Sequence, residues 1–156
     1  MPTYILKTSN IKLKVKKKIE IATAITKAHN RITGANLYFA QVIFEENKKN
    51  SHFMGGKIIK DKQVFLHGQI RTGRSAKIKK NLILALRDSI VKNLKVKKSN
   101  VWVYLFDLSP KQMIEYGEIL PPSGKKVKWF NSLSKSLQKK LKEIFNLFIY
   151  FFQFFL

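Results

Sequence analysis

Val64-Phe65-Leu66-His67-Gly68-Gln69-Ile70-Arg71-Thr72-Gly73-Arg74-Ser75 passes from a β-rich apolar stretch through a turn to a serine suited to cap a helix. The residues that follow fit that reading. Lys77 to Leu94 carries apolar residues at helical spacing, and Val101 to Phe106 (Val-Trp-Val-Tyr-Leu-Phe) reads as a further, buried strand. Val64 to Ile70 is therefore the first strand of a β-α-β unit. The same order occurs earlier in the chain. Thr3 to Thr8 reads as a strand, and Lys12 to Ile32 as a helix with Val15, Ile19, Ala22, Ile25 and Ala28 inward and lysines opposite. Gly34 stops that helix, Tyr38 to Glu45 is apolar enough to lie inside a sheet, and Glu46 to Ser51 closes the unit as a polar loop. Thr8 and Ile70 are 62 residues apart, as are Ala40 and Trp102, so two similar units (about 1–50 and 62–108) are fused head to tail.

Each unit makes its two strands parallel and lays its helix on one face. A pseudo-twofold axis between the units then predicts a four-stranded mixed sheet with two helices on one side, an α/β (α+β) fold. The other sheet face stays apolar, which calls for an oligomer that buries it. Lys111 to Pro122 reads as a short helical turn and a hairpin reaching away from the sheet, and Trp129 to Glu143 as one lysine-rich amphipathic helix. Residues 1–143 thus form one domain, with hairpin and helix at 110–143, and residues 144–156 remain as an apolar tail.

The chain has 156 residues, 45% of them hydrophobic, enough for a packed core despite a formal charge of +22. It has no cysteine, which excludes disulfides, thiolate metal sites and a cysteine nucleophile. The first residues carry neither an apolar h-region nor an arginine-rich presequence, so a cytoplasmic location is expected. The charge invites a nucleic-acid reading, but only four of the 31 basic residues are arginines and the lysines are spread through every segment. A solvated lysine surface encoded by an AT-rich gene explains them, and no specific nucleic-acid partner is expected.

Two of the four arginines, Arg71 and Arg74, stand where the third strand meets the second helix. A helix N-terminus favours an anion, and paired guanidiniums give planar, bidentate recognition of carboxylate or phosphate. Glycine-rich phosphate-loop spacing is absent. Pro2 would become a secondary amine if Met1 were removed, and an α-amino group titrates at about 7.7–8.0, where acid–base catalysis at neutral pH works well. His29 ends the first helix, where a lone histidine is ordinarily structural, and His52 and His67 make no ligand spacing with it, so no metal is expected. Tyr104 fits a strand core. Glu115, within Met113-Ile-Glu-Tyr116, is a carboxylate in an apolar stretch, costly to bury unless paired or functional.

Met1-Pro2, Ala24-Ile-Thr-Lys-Ala-His29, Ala40-Gln-Val-Ile-Phe44, Ile70-Arg-Thr-Gly-Arg-Ser75, Val101-Trp-Val-Tyr104, Met113-Ile-Glu-Tyr-Gly117 and Lys128-Trp-Phe-Asn-Ser-Leu133, in this order, resemble the tautomerase superfamily. The resemblance is to the group around cis-3-chloroacrylic acid dehalogenase and spans about residues 1–141. It implies Pro2 as the catalytic amine, His29, Arg71 and Arg74 as binders of a substrate carboxylate, and Tyr104 with Glu115 as the pair that positions and activates water. It further implies a homotrimer and a substrate pocket around Tyr38, Phe39 and Ile70. The implied reaction is cofactor-independent tautomerisation, hydration or hydrolytic dehalogenation of small α-keto or α,β-unsaturated carboxylates.

The resemblance gives no role to the tail, Phe145 to Leu156, which is shorter than the about 20 apolar residues that span a bilayer. One account is an interfacial anchor with Lys135, Lys139, Lys140 and Lys142 meeting anionic lipid; the other, favoured by its Phe- and Leu-rich composition, is read-through of T-rich DNA. The competing functional classes are a basic nucleic-acid-binding module and a peripheral membrane protein on the same fold.

Overall fold

Alternation of side chains decides the first strand, β1 (Thr3–Ser9), where Tyr4, Leu6 and Thr8 turn inward and the residues between them stay half-exposed. The computed structural model describes residues 2–37, 40–121 and 126–153. From β1 the chain runs through α1 (Val15–Thr33) to β2 (Gln41–Glu46), then a small hairpin of β3 (Phe53–Met54) and β4 (Lys57–Ile58). The second unit follows as β5 (Gln63–Arg71), α2 (Ala76–Leu94) and β6 (Val101–Leu108). Both helix boundaries obey local chemistry. Gly34 ends α1 in the left-handed conformation at φ 65°, and Ser75 Oγ accepts the Ile78 N–H at 3.3 Å as the cap of α2.

The sheet order is β2-β1-β5-β6. β1 is parallel to β2 and β5 to β6, whereas β1 and β5 are antiparallel with Tyr4 opposite Gly68. This is the mixed α+β sheet of two fused units. Ile21, Ile25 and Ala28 of α1 and Leu82, Leu86 and Ile90 of α2 pack on Tyr4, Leu6, Val64, Leu66, Ile70 and Val101 in one core. Leu66 or Leu86 truncated to alanine in such a core costs about 2–5 kcal/mol.

Several expectations need correction. Val15 and Ile19 do not join the core; they are 74% and 56% exposed, because the inward stripe of α1 runs through Ile21, Ile25, Ala28 and His29 instead. Neither β2 nor β6 lies inside the sheet. The pseudo-twofold brings the first strand of each unit together at the centre, so the second strand of each takes an edge. β2 begins at Gln41, and the two residues Tyr38 and Phe39 lie outside the described residues. Ile43, Trp102, Tyr104 and Phe106 stand on the face away from the helices, each 40–47% exposed. The β3–β4 hairpin, absent from the sequence reading, turns at Gly55-Gly56, and the segment that follows it is tied down by Asn10 Nδ2, which donates to Ile59 O and Asp61 O at 3.0 Å each.

After a 3-10 turn at Pro110–Gln112 comes a second hairpin, β7 (Ile114–Glu115) and β8 (Glu118–Ile119). The expected single helix from Trp129 is two, α3 (Lys126–Ser132) and α4 (Lys135–Gln153). Ser134 makes the break: its Oγ accepts the Leu137 N–H at 3.3 Å, capping α4 afresh, while Gln138 Nε2 donates to Leu133 O at 2.8 Å. α4 also runs on to Gln153, so the run beginning at Phe145 continues a helix and is not a separate tail up to that residue. A second apolar cluster of Leu120, Trp129, Leu133 and Leu141, with Met113 beside it, joins these helices to the base of the hairpin. Among the described residues no helix is long and apolar enough to cross a membrane.

Candidate active site

β1 begins and β5 ends at the same end of the sheet, since Thr3 pairs with Gln69. Pro2 is buried there, one residue beyond the paired strand, and its carbonyl accepts the Gln41 N–H at 3.0 Å, which fixes the entry to β1 against β2. Alternation puts Pro2 on the inward face with Tyr4. Tyr4 is fully buried, and its hydroxyl lies 2.6 Å from His29 Nδ1. Burial pushes the Tyr4 phenol well above its ordinary range, and the nearby Arg74 cation opposes that only weakly. Tyr4 was missed in the sequence, although its place two residues after Pro2 on an alternating strand marks it as a neighbour.

The β5–α2 junction is built from backbone and guanidinium contacts. Thr72 N–H donates to Leu108 O at 2.9 Å, Gly73 turns the chain at φ 101°, and Arg74 Nη1 donates back to Arg71 O at 2.5 Å. Arg71 is itself buried, and its Nη1 donates to Pro121 O at 2.9 Å. Burial draws the Arg71 guanidinium below its ordinary pKa while the Glu115 carboxylate pulls it back up. For Arg74 burial leads, Arg71 adds repulsion, and Tyr4 and Asp107 counter it. Two partly desolvated cations therefore sit side by side, an arrangement that an anion would relieve. Asp107 is already held by Lys79 at 2.7 Å.

Glu115 reaches Arg71 electrostatically from the hairpin, whose turn residues Tyr116 and Gly117 both have positive φ, 55° and 83°. That is the two-residue turn that matches the strand twist. Ile70 is fully buried on the inward face of β5. Tyr104 does not join this cluster within one chain. It pairs with His67 in mid-sheet and packs edge-on against Phe65 at 5.0 Å, on the face away from the helices. The structure thus gathers Pro2, Tyr4, His29, Ile70, Arg71, Arg74 and Glu115 at one sheet end and leaves Tyr104 apart.

A family model described as "Putative oxalocrotonate tautomerase enzyme" matches residues 1–132. A solved member of the cis-3-chloroacrylic acid dehalogenase (cis-CaaD) family is 30% identical, with TM-score 0.85, over 90% of this chain and 99% of that one. Native Ps01740 is 26% identical at TM-score 0.67 over 72% of this chain and 99% of that one. A fused 4-OT, solved as a symmetric trimer, shares the fold at 19% identity and TM-score 0.69 over 76% of this chain and 94% of its own. No curated protein matches the sequence. With the match over residues 1–132 and the 30% identity to a cis-CaaD relative across nearly all of that protein, the chain belongs to the tautomerase superfamily, in the group around cis-3-chloroacrylic acid dehalogenase.

Proposed function

We propose that the protein is a cofactor-independent enzyme that uses Pro2, freed as the amino terminus by removal of Met1, for acid–base chemistry on small α-keto or α,β-unsaturated carboxylates. The observation that carries this reading is the gathering of buried Pro2, the Tyr4–His29 pair and the two part-desolvated guanidiniums at one sheet end. Arg71, Arg74 and His29 hold the substrate carboxylate, which orients the adjacent carbons toward Pro2 and withdraws electron density from them. Ile70 shapes the apolar side of the pocket.

The protonation state of Pro2 selects the reaction. A neutral amine takes the enol proton and returns it to carbon, which is tautomerisation. A protonated amine gives its proton to the α-carbon while water adds at the β-carbon and loses a proton to Glu115. The result is hydration, and with a 3-halo substrate the adduct then expels hydrogen halide. Tyr104 assists water only if a neighbouring copy brings it to the site, because its own chain keeps it on the opposite sheet face. A homotrimer that buries Ile43, Trp102, Tyr104 and Phe106 supplies that geometry, and the trimeric fused 4-OT relatives support it.

Mass spectrometry and an assay with phenylpyruvate enol and 3-haloacrylates test the reading. The expected outcome is an active chain beginning at Pro2 and an inactive one when an uncleaved tag turns the proline nitrogen into an amide. Equal activity in both chains would remove Pro2 from the mechanism.

A further inference from the structure

Tyr4 and His29 meet in a seat made for them. In register Tyr4 stands opposite Gly68, and a Cβ on Gly68 would lie 2.7 Å from Tyr4 Cε1 and 2.6 Å from Leu105 Cδ2. Both distances are shorter than real Cβ contacts, so the absent Cβ is what leaves the phenol ring its room against the strand. From that position the ring meets His29 edge-on, centroids 5.8 Å apart, and the hydroxyl reaches Nδ1 at 2.6 Å.

The hydroxyl carries one proton, and burial keeps it there. A buried O–H that donates to nothing is costly, and Nδ1 is the acceptor at hydrogen-bond distance. Neutral imidazole bears a single N–H, so when Nδ1 accepts, Nε2 is the protonated nitrogen. We infer that Tyr4, seated on Gly68, is a positioning residue that fixes His29 as the Nε2–H tautomer and so makes it a hydrogen-bond donor to the substrate carboxylate. The choice of ligand rests on the function proposed above; the tautomer rests on the Tyr4–His29 contact and on the phenol keeping its proton. The opposite tautomer would offer the carboxylate a lone pair, and two acceptors repel.

Long-range 1H–15N NMR of the full-length chain reads the tautomer directly. In the wild type, His29 Nδ1 is expected as the unprotonated nitrogen and Nε2 as the protonated one. Tyr4→Phe keeps the ring and its packing but removes the donor, and Gly68→Ala keeps the hydroxyl but displaces the ring. In both variants the two His29 nitrogen shifts should converge as the tautomers mix, and KM for a small α-keto carboxylate should rise about tenfold with kcat nearly unchanged. A protonated Nδ1 in the wild type, or unaltered His29 shifts in Tyr4→Phe, would overturn the inference. Mixed tautomers with an unchanged KM would overturn its consequence for binding. Failure of the proposed function looks different: His29→Ala would bind substrate like the wild type while the wild-type spectrum still showed one tautomer.

Discussion

Arg71 Nη1 donates to Pro121 O at 2.9 Å, so the same guanidinium that ends β5 also holds the segment after the hairpin that carries Glu115. One side chain therefore couples the anion-attracting strand end to the carboxylate proposed to activate water. Its fork has donors left for a ligand while one is committed to the backbone.

Arg71→Ala and Arg74→Ala should each lower kcat/KM by about 10- to 150-fold, which is about 1.5–3 kcal/mol for a lost charge-assisted hydrogen bond. Arg71→Lys should recover little, because an ammonium lacks the planar fork that reaches Pro121 O while presenting further donors to a carboxylate. Steady-state kinetics beside far-UV circular dichroism would check this; folded alanine variants with wild-type kcat/KM would end the carboxylate role.

Gly117 lies at φ 83° in the turn that presents Glu115. Gly117→Val should destabilise the hairpin by about 1–2 kcal/mol, the cost of a left-handed L-residue, and misplace the carboxylate. Hydration should fall much further than tautomerisation, since only hydration calls on Glu115. Equal losses in the two assays would argue that the hairpin acts on binding alone.

The 62-residue offset made the two β-α-β units legible, because both follow from local periodicity and turn chemistry. Which strands take the outer places does not follow from periodicity. Val101 to Phe106 is as apolar as a buried strand, yet Trp102, Tyr104 and Phe106 are exposed on an edge. Their hydrophobicity does not serve the monomer core and fits the oligomer surface proposed above. Val15 and Ile19 misled for a related reason: several apolar stripes fit one lysine-rich helix, and the sheet's position selects among them. Arg71, Arg74 and Glu115 were legible as residue types out of keeping with their surroundings. Tyr4 was not, since a tyrosine in a strand is ordinary until Gly68 opposite is known to give it room.

Tyr4 also makes a statement about alkaline stability. Its phenol titrates higher in the folded chain than the about 10 of an unfolded one, so below that value both states keep the proton and stability is unaffected. Above it the unfolded chain releases a proton that the folded chain retains, and stability falls by about 1.4 kcal/mol per pH unit from this group. Denaturant unfolding between pH 9 and 11 should show a steeper decline for wild type than for Tyr4→Phe; parallel declines would mean that the phenol ionises without penalty in the fold.

The two roles of Pro2 make opposite demands on pH, and their comparison tests the proposed chemistry as a whole. A carboxylate such as Glu115 near the amine favours its cation, whereas Arg71 and Arg74 disfavour it. Whatever the resulting pKa, tautomerisation needs the neutral amine and hydration needs the charged one. Tautomerase kcat/KM should therefore rise, and hydratase kcat/KM should fall, through one shared pKa as pH increases. Glu115→Gln should remove a carboxylate that favours the cation and so move that shared value downward, besides abolishing hydration. Pro2→Ala, cleaved to a primary amine, should retain part of the tautomerase activity with its midpoint displaced. Two profiles bending the same way, or midpoints that differ by more than about one unit, would assign the titration to a group other than Pro2.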